Sequence, residues 1–453
     1  MQSLTLLIAV SASALVLLLS PVGRVIVLLT TLAWYPSYLT VKVGTLDFSV
    51  SRIVVITIFL AILLGQGRPT NFKFTQLDKF VIAYFICEII AGLTTMPASV
   101  FLENRAGAFL STVLPYFAVR LAITTKKQYY TVLKAIVIIA APLAIIGLYE
   151  SVTGNNPFGF LRQYHAWRVI SEDFGQAPRE TRMGLYRAVV TFPQPIMFGL
   201  FFAMFAPPCA ALFRVVPRNK FLWWIGVAFM ALGAVSSVSS GPVLSLVLAA
   251  VFIACYRWRK YWKVAVVLLL LMVVCVEIVS NRHFYDVIGR FTFSAGTAWY
   301  RSKLMEVALG GGMSGHWLTG FGFADPGWSY RIDHRSHTDI VNHYLLVLAR
   351  YGLVGFIPFV GVILTAMKNL IVASRQARLD ADKWTIWTLG ATLCGLLFAF
   401  FSVSLGGQTP TFFYMILGFC GVMPTIMSEP AFNTVQFVAR KNHVSQGRPL
   451  LCP

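Results

Sequence analysis

Long apolar runs dominate this chain and restrict what it can fold into. Each run approaches the roughly 20 residues that a helix needs to cross about 30 Å of hydrocarbon. Backbone polar groups in lipid must be hydrogen-bonded within their own segment, which excludes open sheets. Charged residues make up 12% of the chain, whereas soluble proteins have about 25%. The sequence therefore predicts an all-α fold, a polytopic transmembrane bundle of about 12 or 13 spans.

The predicted spans lie near residues 3–20, 23–41, 48–66, 78–97, 103–123, 128–149, 188–213, 220–237, 240–256, 262–280, 344–367, 385–404 and 409–428. The first two runs are short and closely spaced. They could form two helices, or one helix and a re-entrant piece.

Basic residues set the predicted orientation. The chain has 37 Lys and Arg against 17 Asp and Glu, a net charge of +20. Most of them lie in short loops between spans, where positive charge marks the cytoplasmic side and favours anionic lipid over nucleic acid as a contact. The basic segments contain Arg68, Lys73 and Lys79; Lys126 and Lys127; Arg214, Arg218 and Lys220; Arg257, Arg259, Lys260 and Lys263; Lys368, Arg375, Arg378 and Lys383; and Arg440, Lys441 and Arg448.

This orientation places two long loops, 150–187 and 281–343, on the extracytoplasmic side and the tail 429–453 in the cytoplasm. We predict a single integral membrane domain over 1–453. The second loop, 281–343, is expected to be helical. Ordered loops of this length are usually functional.

The two long loops contain most of the chemically active side chains. Six of the seven histidines lie in them, namely His165, His283, His316, His334, His337 and His343. Their arginines are Arg162, Arg168, Arg179, Arg182 and Arg187 in the first loop and Arg282, Arg290, Arg301, Arg331 and Arg335 in the second. Tryptophans such as Trp299 and Trp328 suit either sugar stacking or an interfacial belt.

Arg187 precedes Pro193 and Pro195 at the start of the predicted span 188–213. The prolines would break or kink a helix here and free backbone N–H groups. An arginine beside free N–H groups suits an anion. The alternative is an arginine that snorkels at the membrane interface.

Three motifs follow one another in the second loop. Arg301 lies in a short amphipathic helical pattern, and Gly320-Phe-Gly-Phe implies a tight passage of the backbone. The polar segment that begins at His334 then leads through Asn342 directly into a membrane helix. A histidine-rich segment that adjoins a span indicates a site close to the membrane surface.

The order of these features resembles the bacterial superfamily of O-antigen ligases and O-antigen/exopolysaccharide polymerases. The matching blocks are Arg187 to Gly199, Ser236 to Gly241, Arg301, Gly320-Phe-Gly, Asn342-His-Tyr-Leu and Tyr351-Gly-Leu-Val-Gly, within residues 180–370. The resemblance implies a metal-independent membrane glycosyltransferase with no cofactor. Its donor would be a polyprenyl-pyrophosphate-linked oligosaccharide used in surface polysaccharide biosynthesis. The resemblance also implies a location in a bacterial inner membrane, with most of the catalysis on the loop 281–343. Membrane lipid is a further expected partner, a chain-length regulator is left open, and nucleic acid is not expected.

Within this superfamily we favour a polymerase of repeat units over an O-antigen ligase that transfers to lipid A-core. Arginines hold the lipid pyrophosphate in the family, because guanidinium groups stabilise its charge bidentately without a metal. The resemblance assigns this role first to Arg187 and Arg301, and then to Arg182, Arg331 and Arg335.

A loop histidine helps to activate the acceptor hydroxyl in the same family, and histidine suits this role near neutral pH. The family often has a histidine directly before the asparagine that opens the helix, but this chain has Val341 before Asn342. The base could therefore be His337, which we favour slightly, or His343. Asp339 could orient either one, and Asp339 and Asn342 are expected substrate contacts.

Other classes of protein remain as alternatives. His334 and His337 could suggest zinc, but no HExxH or Cys/His spacing accompanies them, and no metal site is predicted. A transporter or flippase would place ionisable groups within its spans, and Glu88, Glu103 and Arg105 are candidates, although a structural ion pair is favoured for them. A peptidoglycan polymerase has a similar layout, but its catalytic aspartate loop is not recognisable here.

Overall fold

Helices make up nearly all of the secondary structure. The computed structural model describes residues 1–44, 46–67, 72–164, 181–216, 220–279, 283, 292–334 and 336–428. The helices are α1 (Gln2–Leu18), α2 (Pro21–Trp34), α3 (Val50–Leu63), α4 (Gln76–Thr95), α5 (Ala98–Ser111), α6 (Val113–Ala122), α7 (Lys126–Thr153), α8 (Pro195–Cys209), α9 (Leu212–Val215), α10 (Lys220–Ser236), α11 (Ser240–Ala254), α12 (Trp262–Val279), α13 (Ala295–Val307), α14 (Ser329–Ile332), α15 (His343–Gln376), α16 (Asp380–Ala399) and α17 (Thr409–Ser428). The prediction of an all-α fold is confirmed.

The strands form two small antiparallel hairpins. β1 (Thr40–Val43) pairs with β2 (Leu46–Ser49), and β3 (Thr181–Arg182) pairs with β4 (Leu185–Tyr186). Short 3-10 helices cover Gly159–Tyr164 and Cys255–Tyr261, and a π-helical turn covers Ala308–Gly312. None of these elements changes the helical character of the fold.

Five helical segments are long and apolar enough to cross a membrane, judged by length and composition. They are Lys126–Thr153, Pro195–Val215, Ser240–Val279, His343–Gln376 and Thr409–Ser428. Four apolar helices of 10–17 residues, α1, α2, α3 and α10, are shorter. The described residues therefore include several helices suited to a bilayer, while the number of spans and their orientation stay predictions.

The first two apolar runs form two separate helices. Helix α1 ends at Leu18, and α2 begins at Pro21. The hydroxyl of Ser20 accepts a hydrogen bond from a backbone N–H in the first turn of α2, and proline fits the first turn because its missing N–H would have no partner there. The local sequence therefore separates the two helices.

Two other predicted spans differ from the observed helices. The run 103–123 contains α5 and α6, which meet at Thr112. The run 188–213 becomes helical only at Pro195, which occupies the first position of α8. A proline at that position is compatible with the start of a helix but not with its interior.

Helix α8 lies at the centre of the helical body. All of its residues from Phe198 to Cys209 are buried, and it packs against α7, α10, α11, α16 and α17. Aromatic rings fill this centre, for example Phe201 and Phe412, whose centroids are 5.1 Å apart. A helix that is apolar on every side belongs in such an interior position.

A buried ion pair joins α4 to α6. The carboxylate of Asp78 is fully buried and accepts hydrogen bonds from Nε and Nη2 of Arg120, both at 3.0 Å. The hydroxyl of Tyr116 donates to the same carboxylate at 2.5 Å. Because Nη1 of Arg120 also donates to the carbonyl of Gly421 at 3.0 Å, this network extends to α17.

The charged side chains considered for a transporter include an ion pair between helices. Arg105 of α5 lies 3.4 Å from the carboxylate of Glu88 on α4. Its guanidinium also lies 4.2 Å from the ring centroid of Phe323 in the second long loop. These contacts agree with the structural ion pair favoured for Glu88 and Arg105.

Helix α15 is interrupted at Gly352, where φ is +57° and ψ is −162°. The loop residues 317–322, here called the docking segment, bind the backbone groups that the interruption frees. The four hydrogen bonds run from Leu353 N–H to the Trp317 carbonyl (2.8 Å), from Val354 N–H to Leu318 (3.1 Å), from Phe321 N–H to Ala349 (2.7 Å) and from Gly322 N–H to Arg350 (2.8 Å). Buried backbone groups must find such partners. The Gly320-Phe-Gly and Tyr351-Gly motifs therefore lie in two segments that are hydrogen-bonded to each other.

The second long loop has a small hydrophobic core of its own. This core contains Leu304, Ala308, Met313, Trp328, Ile332, Ile340, Leu345 and Ala349. The last two belong to the first segment of α15, whereas Val347 and Tyr351 in the same segment belong to the main core. The loop is thus packed onto the helical body through the beginning of α15.

Replacing Gly352 by alanine is expected to destabilise the protein. A Cβ atom there would lie 2.2 Å from the carbonyl oxygen of Leu318, and its backbone conformation costs other residues about 1–3 kcal/mol. We expect a lower unfolding temperature of the purified protein and faster proteolysis of the second loop. Gly296→Ala is the control, because a Cβ at Gly296 would meet nothing within 4 Å. Equal unfolding temperatures for the two variants would contradict the role of the docking segment.

Candidate functional site

Arg301 is a buried cation of the second loop. It lies on α13, only 8% of its surface is exposed, and its Nε and Nη1 atoms have no hydrogen-bond partner among the residues that the structure describes. Burial, together with the nearby positive charge of Arg182, lowers the pKa of Arg301 to about 10. The group remains charged at neutral pH. A buried charge with free donors is costly unless an anion binds it.

The β3–β4 hairpin places a second arginine near Arg301. Its turn consists of Met183 and Gly184, with φ of 53° and 77°, which is the left-handed geometry that favours tight hairpins. Arg182 ends β3, and its charge acts on the guanidinium of Arg301. Like charges repel, so their proximity in a partly buried place favours the binding of an anion between or beside them.

Arg187 follows directly after the β3–β4 hairpin. Nη2 of Arg187 donates a hydrogen bond to the hydroxyl of Ser239 at 3.1 Å, and Ser239 is the residue before α11. Two β-branched residues near this contact, Val190 and Val238, have positive φ angles of 51° and 43°. Such strain costs about 1–3 kcal/mol per residue and occurs mostly at functional sites. The Arg187 segment is therefore held in a strained, defined conformation.

The expected free N–H groups beside Arg187 are already bound, which corrects one part of the sequence interpretation. Oε2 of Glu150 accepts hydrogen bonds from the N–H groups of Val189 and Val190 at 3.1 and 2.8 Å. The sequence pattern did not indicate Glu150, since it lies on a different helix, α7. Arg187 can still contact an anion, but these two backbone donors serve an internal carboxylate.

The chain before α15 runs alongside α13. The hydroxyl of Tyr300 donates to the carbonyl of Asp339 at 2.9 Å, and Nδ2 of Asn342 lies 3.7 Å from the sulfur of Met305. Met305 is one helical turn from Arg301, so both face the same side of α13. Asp339 is exposed and Asn342 is buried. The structure therefore brings Arg301, Asp339 and Asn342 into one region.

Asn342 and His343 both have structural roles at the start of α15. The Oδ1 atom of Asn342 caps the helix by accepting from Leu345 N–H at 3.0 Å. His343 is buried, its Nδ1 accepts from Leu405 N–H at 3.4 Å, and its ring contacts Phe400 with centroids 4.8 Å apart. A general base must reach the proton that it removes, and His343 lies in the helical body instead of on the loop surface.

His337 occupies an exposed turn that is held by an acid not identified from the sequence. Asp325 accepts hydrogen bonds from Thr338 N–H (2.7 Å), the Thr338 hydroxyl (2.8 Å) and Gly327 N–H (2.7 Å). Partial burial alone would raise the pKa of Asp325, but these hydrogen bonds and the charge of His337 lower it. The sequence Asp325-Pro-Gly is a turn signal that could have indicated this residue.

The remaining candidates lie elsewhere on the loop. Arg331 is exposed on α14, and Arg335 falls outside the described residues. His334 is exposed and has a φ of 59°. Among the residues that the structure describes, no group of three or more His, Cys, Asp or Glu side chains could hold a metal ion.

The described residues therefore include a buried guanidinium, a second arginine near it and, on the same long loop as Arg301, an exposed histidine near the carboxylate of Asp325. The arginines can bind an anion of two charges, and the histidine can accept a proton from a hydroxyl. Comparison with known proteins does not assign the site, because no protein-family model matches this chain and no curated protein matches it.

Proposed function

We propose that this protein is a membrane glycosyltransferase that polymerises polyprenyl-pyrophosphate-linked glycan repeat units in the biosynthesis of a surface polysaccharide. The main support for the proposal is the buried guanidinium of Arg301, whose Nε and Nη1 atoms have no partner within the described part of the chain. A pyrophosphate would supply the missing acceptors. The proposal also rests on the resemblance of residues 180–370 to O-antigen polymerases and ligases.

The chemistry of pyrophosphate departure explains why arginine suits this position. The leaving group gains negative charge as the glycosidic bond to it breaks, and fixed cations in a site that excludes water stabilise that charge. Arginine binds phosphate oxygens bidentately and keeps its charge after burial. Arg301 and Arg182 would bind the pyrophosphate, and Arg187 beside Ser239 would contact the same group or the first sugar.

A lipid-linked donor requires the site to adjoin a bilayer. Helix α12 supports this arrangement, because all 18 of its residues lie outside the core and most are large and apolar. An apolar helix with every side exposed is stable in lipid but not in water. We therefore place α12 and the long helices in a bacterial inner membrane, with the loops 150–187 and 281–343 on the extracytoplasmic side.

The acceptor hydroxyl needs a base that is accessible to solvent and sugar. His337 meets this condition because it is exposed, and Asp325 holds the adjoining residue Thr338 through two hydrogen bonds. In the proposed reaction His337 removes the hydroxyl proton while the oxygen attacks the anomeric carbon and the pyrophosphate departs with the bonding electrons. Asp339 would help to position the acceptor.

Two other functions compete with this proposal. An O-antigen ligase would use the same donor and transfer the glycan to lipid A-core. A transporter or flippase is favoured by the interruption of α15 at Gly352, since transporters bind their substrates at broken helices. However, the docking segment already binds the backbone groups freed at this interruption, which leaves fewer of them for a substrate.

The decisive experiment uses the purified protein in vesicles with a polyprenyl-pyrophosphate-linked oligosaccharide, with and without lipid A-core. Longer glycan on polyprenyl pyrophosphate is the expected product and identifies a polymerase. Glycan on lipid A-core would identify a ligase. Movement of an unchanged donor across the vesicle membrane, without any glycosidic product, would support the transporter and contradict the proposal.

Replacing His337 by alanine is expected to lower the rate of polymer formation by about 100- to 10,000-fold, the usual contribution of a general base. Binding of the lipid-linked donor should change little, because the pyrophosphate is held by arginines. His316→Phe is a matched control on the same loop, since it removes a titratable ring but keeps the stacking on Phe321 at 3.9 Å between centroids. Equal rates for the His337→Ala variant and the wild type would exclude His337 as the base.

A further inference from the structure

A cavity of about 470 Å³ lies at the far end of α11 from the candidate site. Helix α11 begins next to Ser239, which contacts Arg187, and it ends at Ala254. Its 15 residues span roughly 22 Å at 1.5 Å per residue. The cavity lies between the end of α11, the short 3-10 helix that follows, and the beginning of α16. Its volume is within the roughly 300–1,000 Å³ of sites for small ligands.

Positive charge exceeds negative charge in this cavity. Arg214, Arg257 and Arg259 line it together with a single carboxylate, that of Asp380. Asp380 accepts from Nη1 of Arg214 at 2.7 Å and from Nη2 of Arg259 at 3.2 Å. Three guanidinium groups and one carboxylate leave a surplus of two positive charges, so the cavity favours an anion.

Aromatic rings hold two of these arginines in place. The guanidinium of Arg214 lies 4.2 Å from the ring centroid of Trp384 and 4.8 Å from that of Tyr256. Arg259 lies 4.2 Å from the ring centroid of Tyr256 on its own 3-10 helix. Stacking of this kind fixes the direction of the guanidinium donors before a ligand arrives. The cavity therefore differs from a set of mobile surface arginines.

We propose that this cavity binds the phosphate group of an anionic phospholipid from the cytoplasmic leaflet. Ile253 and Ala254 give the cavity an apolar side where α11 meets the following 3-10 helix, within the apolar segment Ser240–Val279 that is long enough to span a bilayer. Tryptophan and tyrosine are typical of the membrane–water interface, and basic pockets between helices on the cytoplasmic side suit lipid head groups. The proposal rests on the proposed membrane placement, and it does not depend on glycosyl transfer.

The test measures lipid binding directly. Purified protein in a neutral detergent is titrated with phosphatidylglycerol, phosphatidylcholine and inorganic phosphate in separate arms, and bound molecules are counted by native mass spectrometry. We expect phosphatidylglycerol to bind at least about tenfold more tightly than phosphatidylcholine, because charge-assisted hydrogen bonds to guanidinium groups require an anion. Free phosphate is expected to bind more weakly than phosphatidylglycerol, since it lacks acyl chains.

Two variants locate the binding within the cavity. Arg214→Gln and Arg257→Gln should each weaken binding of phosphatidylglycerol by about tenfold. If loss of the Arg214 stacking impairs folding, the Arg257→Gln variant alone tests whether the lipid binds in this cavity. Arg375→Ala is the matched control, because Arg375 is exposed near the end of α15 and lies outside the cavity.

Three results would overturn the proposal. These are equal binding of phosphatidylglycerol and phosphatidylcholine, binding of free phosphate as tight as that of the lipid, and equal binding by the Arg257→Gln and Arg375→Ala variants. The glycosyltransferase proposal would be unaffected by any of them, because its own test measures glycan products.

Discussion

Replacing Arg301 by methionine is expected to lower the rate of glycan transfer by about 100- to 1,000-fold, the usual effect of removing a group that stabilises charge in a transition state. The side chain is buried and offers donors at Nε and Nη1 that no group in the described residues accepts. Methionine keeps an unbranched apolar chain, which is shorter than that of arginine, and carries no charge. The measurement is the initial rate of consumption of the polyprenyl-pyrophosphate-linked donor by purified protein in vesicles.

The stability of the same variant separates a binding role from a structural role. A buried, unpaired charge destabilises the folded protein, so an apolar side chain of similar size should leave the unfolding temperature unchanged or raise it. Arg301→Lys keeps the charge but loses bidentate binding, and it should retain only part of the rate. Lys303→Ala on the same helix removes an exposed cation that pairs with Glu306, and it should keep the normal rate.

Two results would contradict the role given to Arg301. One is a normal rate of donor consumption in the Arg301→Met variant. The other is a strong loss of stability without a loss of rate in the protein that remains folded, which would mark Arg301 as a structural residue.

Replacing Asp78 by alanine is expected to destabilise the protein by about 3–5 kcal/mol, the cost of removing one partner of a buried ion pair. The change leaves Arg120 charged and buried, with its Nε atom unpaired and its Nη2 atom bound to the carbonyl of Lys73 alone, and it removes the acceptor of the Tyr116 hydroxyl. The contact between α4 and α6 depends on this carboxylate. Unfolding by denaturant in mixed detergent micelles gives the free-energy difference.

Two further variants test whether the loss of stability comes from the buried ion pair. Glu306→Ala breaks an exposed pair with Lys303, and such pairs contribute about 0–1 kcal/mol. The double change Asp78→Leu with Arg120→Met replaces the ion pair by apolar groups and should recover much of the stability. If Asp78→Ala and Glu306→Ala had similar unfolding free energies, the buried network would be unimportant.

The helical class of this fold could be predicted because long apolar runs permit few other structures. The apolar runs alone left two possibilities for α1 and α2. Ser20 and Pro21 favour the observed one, because they are typical of the start of a new helix. The division of 103–123 into α5 and α6 at Thr112 was missed, although Pro115 in the first turn of α6 indicates it. Proline has no N–H to donate to the preceding turn, so it fits the start of a helix but interrupts a longer one.

The interruption of α15 shows why local sequence was insufficient. Apart from Arg350, the side chains near Gly352 are mostly apolar, so the segment 344–367 reads as one continuous span. The interruption is stabilised by the docking segment, which lies about 30 residues earlier in the chain. The conformation at Gly352 is favourable only because it pairs with the docking segment. The periodicity of apolar residues does not indicate which distant segments pair with each other.

Only some residues of the candidate site could be predicted, because the others depend on contacts between distant segments. Arg301 could be selected from the sequence, but its burial depends on a core formed with residues as distant as Ala349. The carboxylates of Glu150 and Asp325 accept hydrogen bonds from backbone N–H groups of distant residues. Such contacts cannot be recognised from the sequence, because nearly every residue type has a backbone N–H group. The preference for His337 over His343 stays a prediction.

The first segment of α15 gives the protein a mechanical connection between its two cores. Leu345 and Ala349 face the core of the second loop, while Val347 and Tyr351 face the core of the helical body. A rotation of this short helix about its own axis would disturb both sets of contacts at once, because close-packed interiors accommodate little deformation. We therefore expect ligand binding near Arg301 to affect the packing of the helical body through this segment.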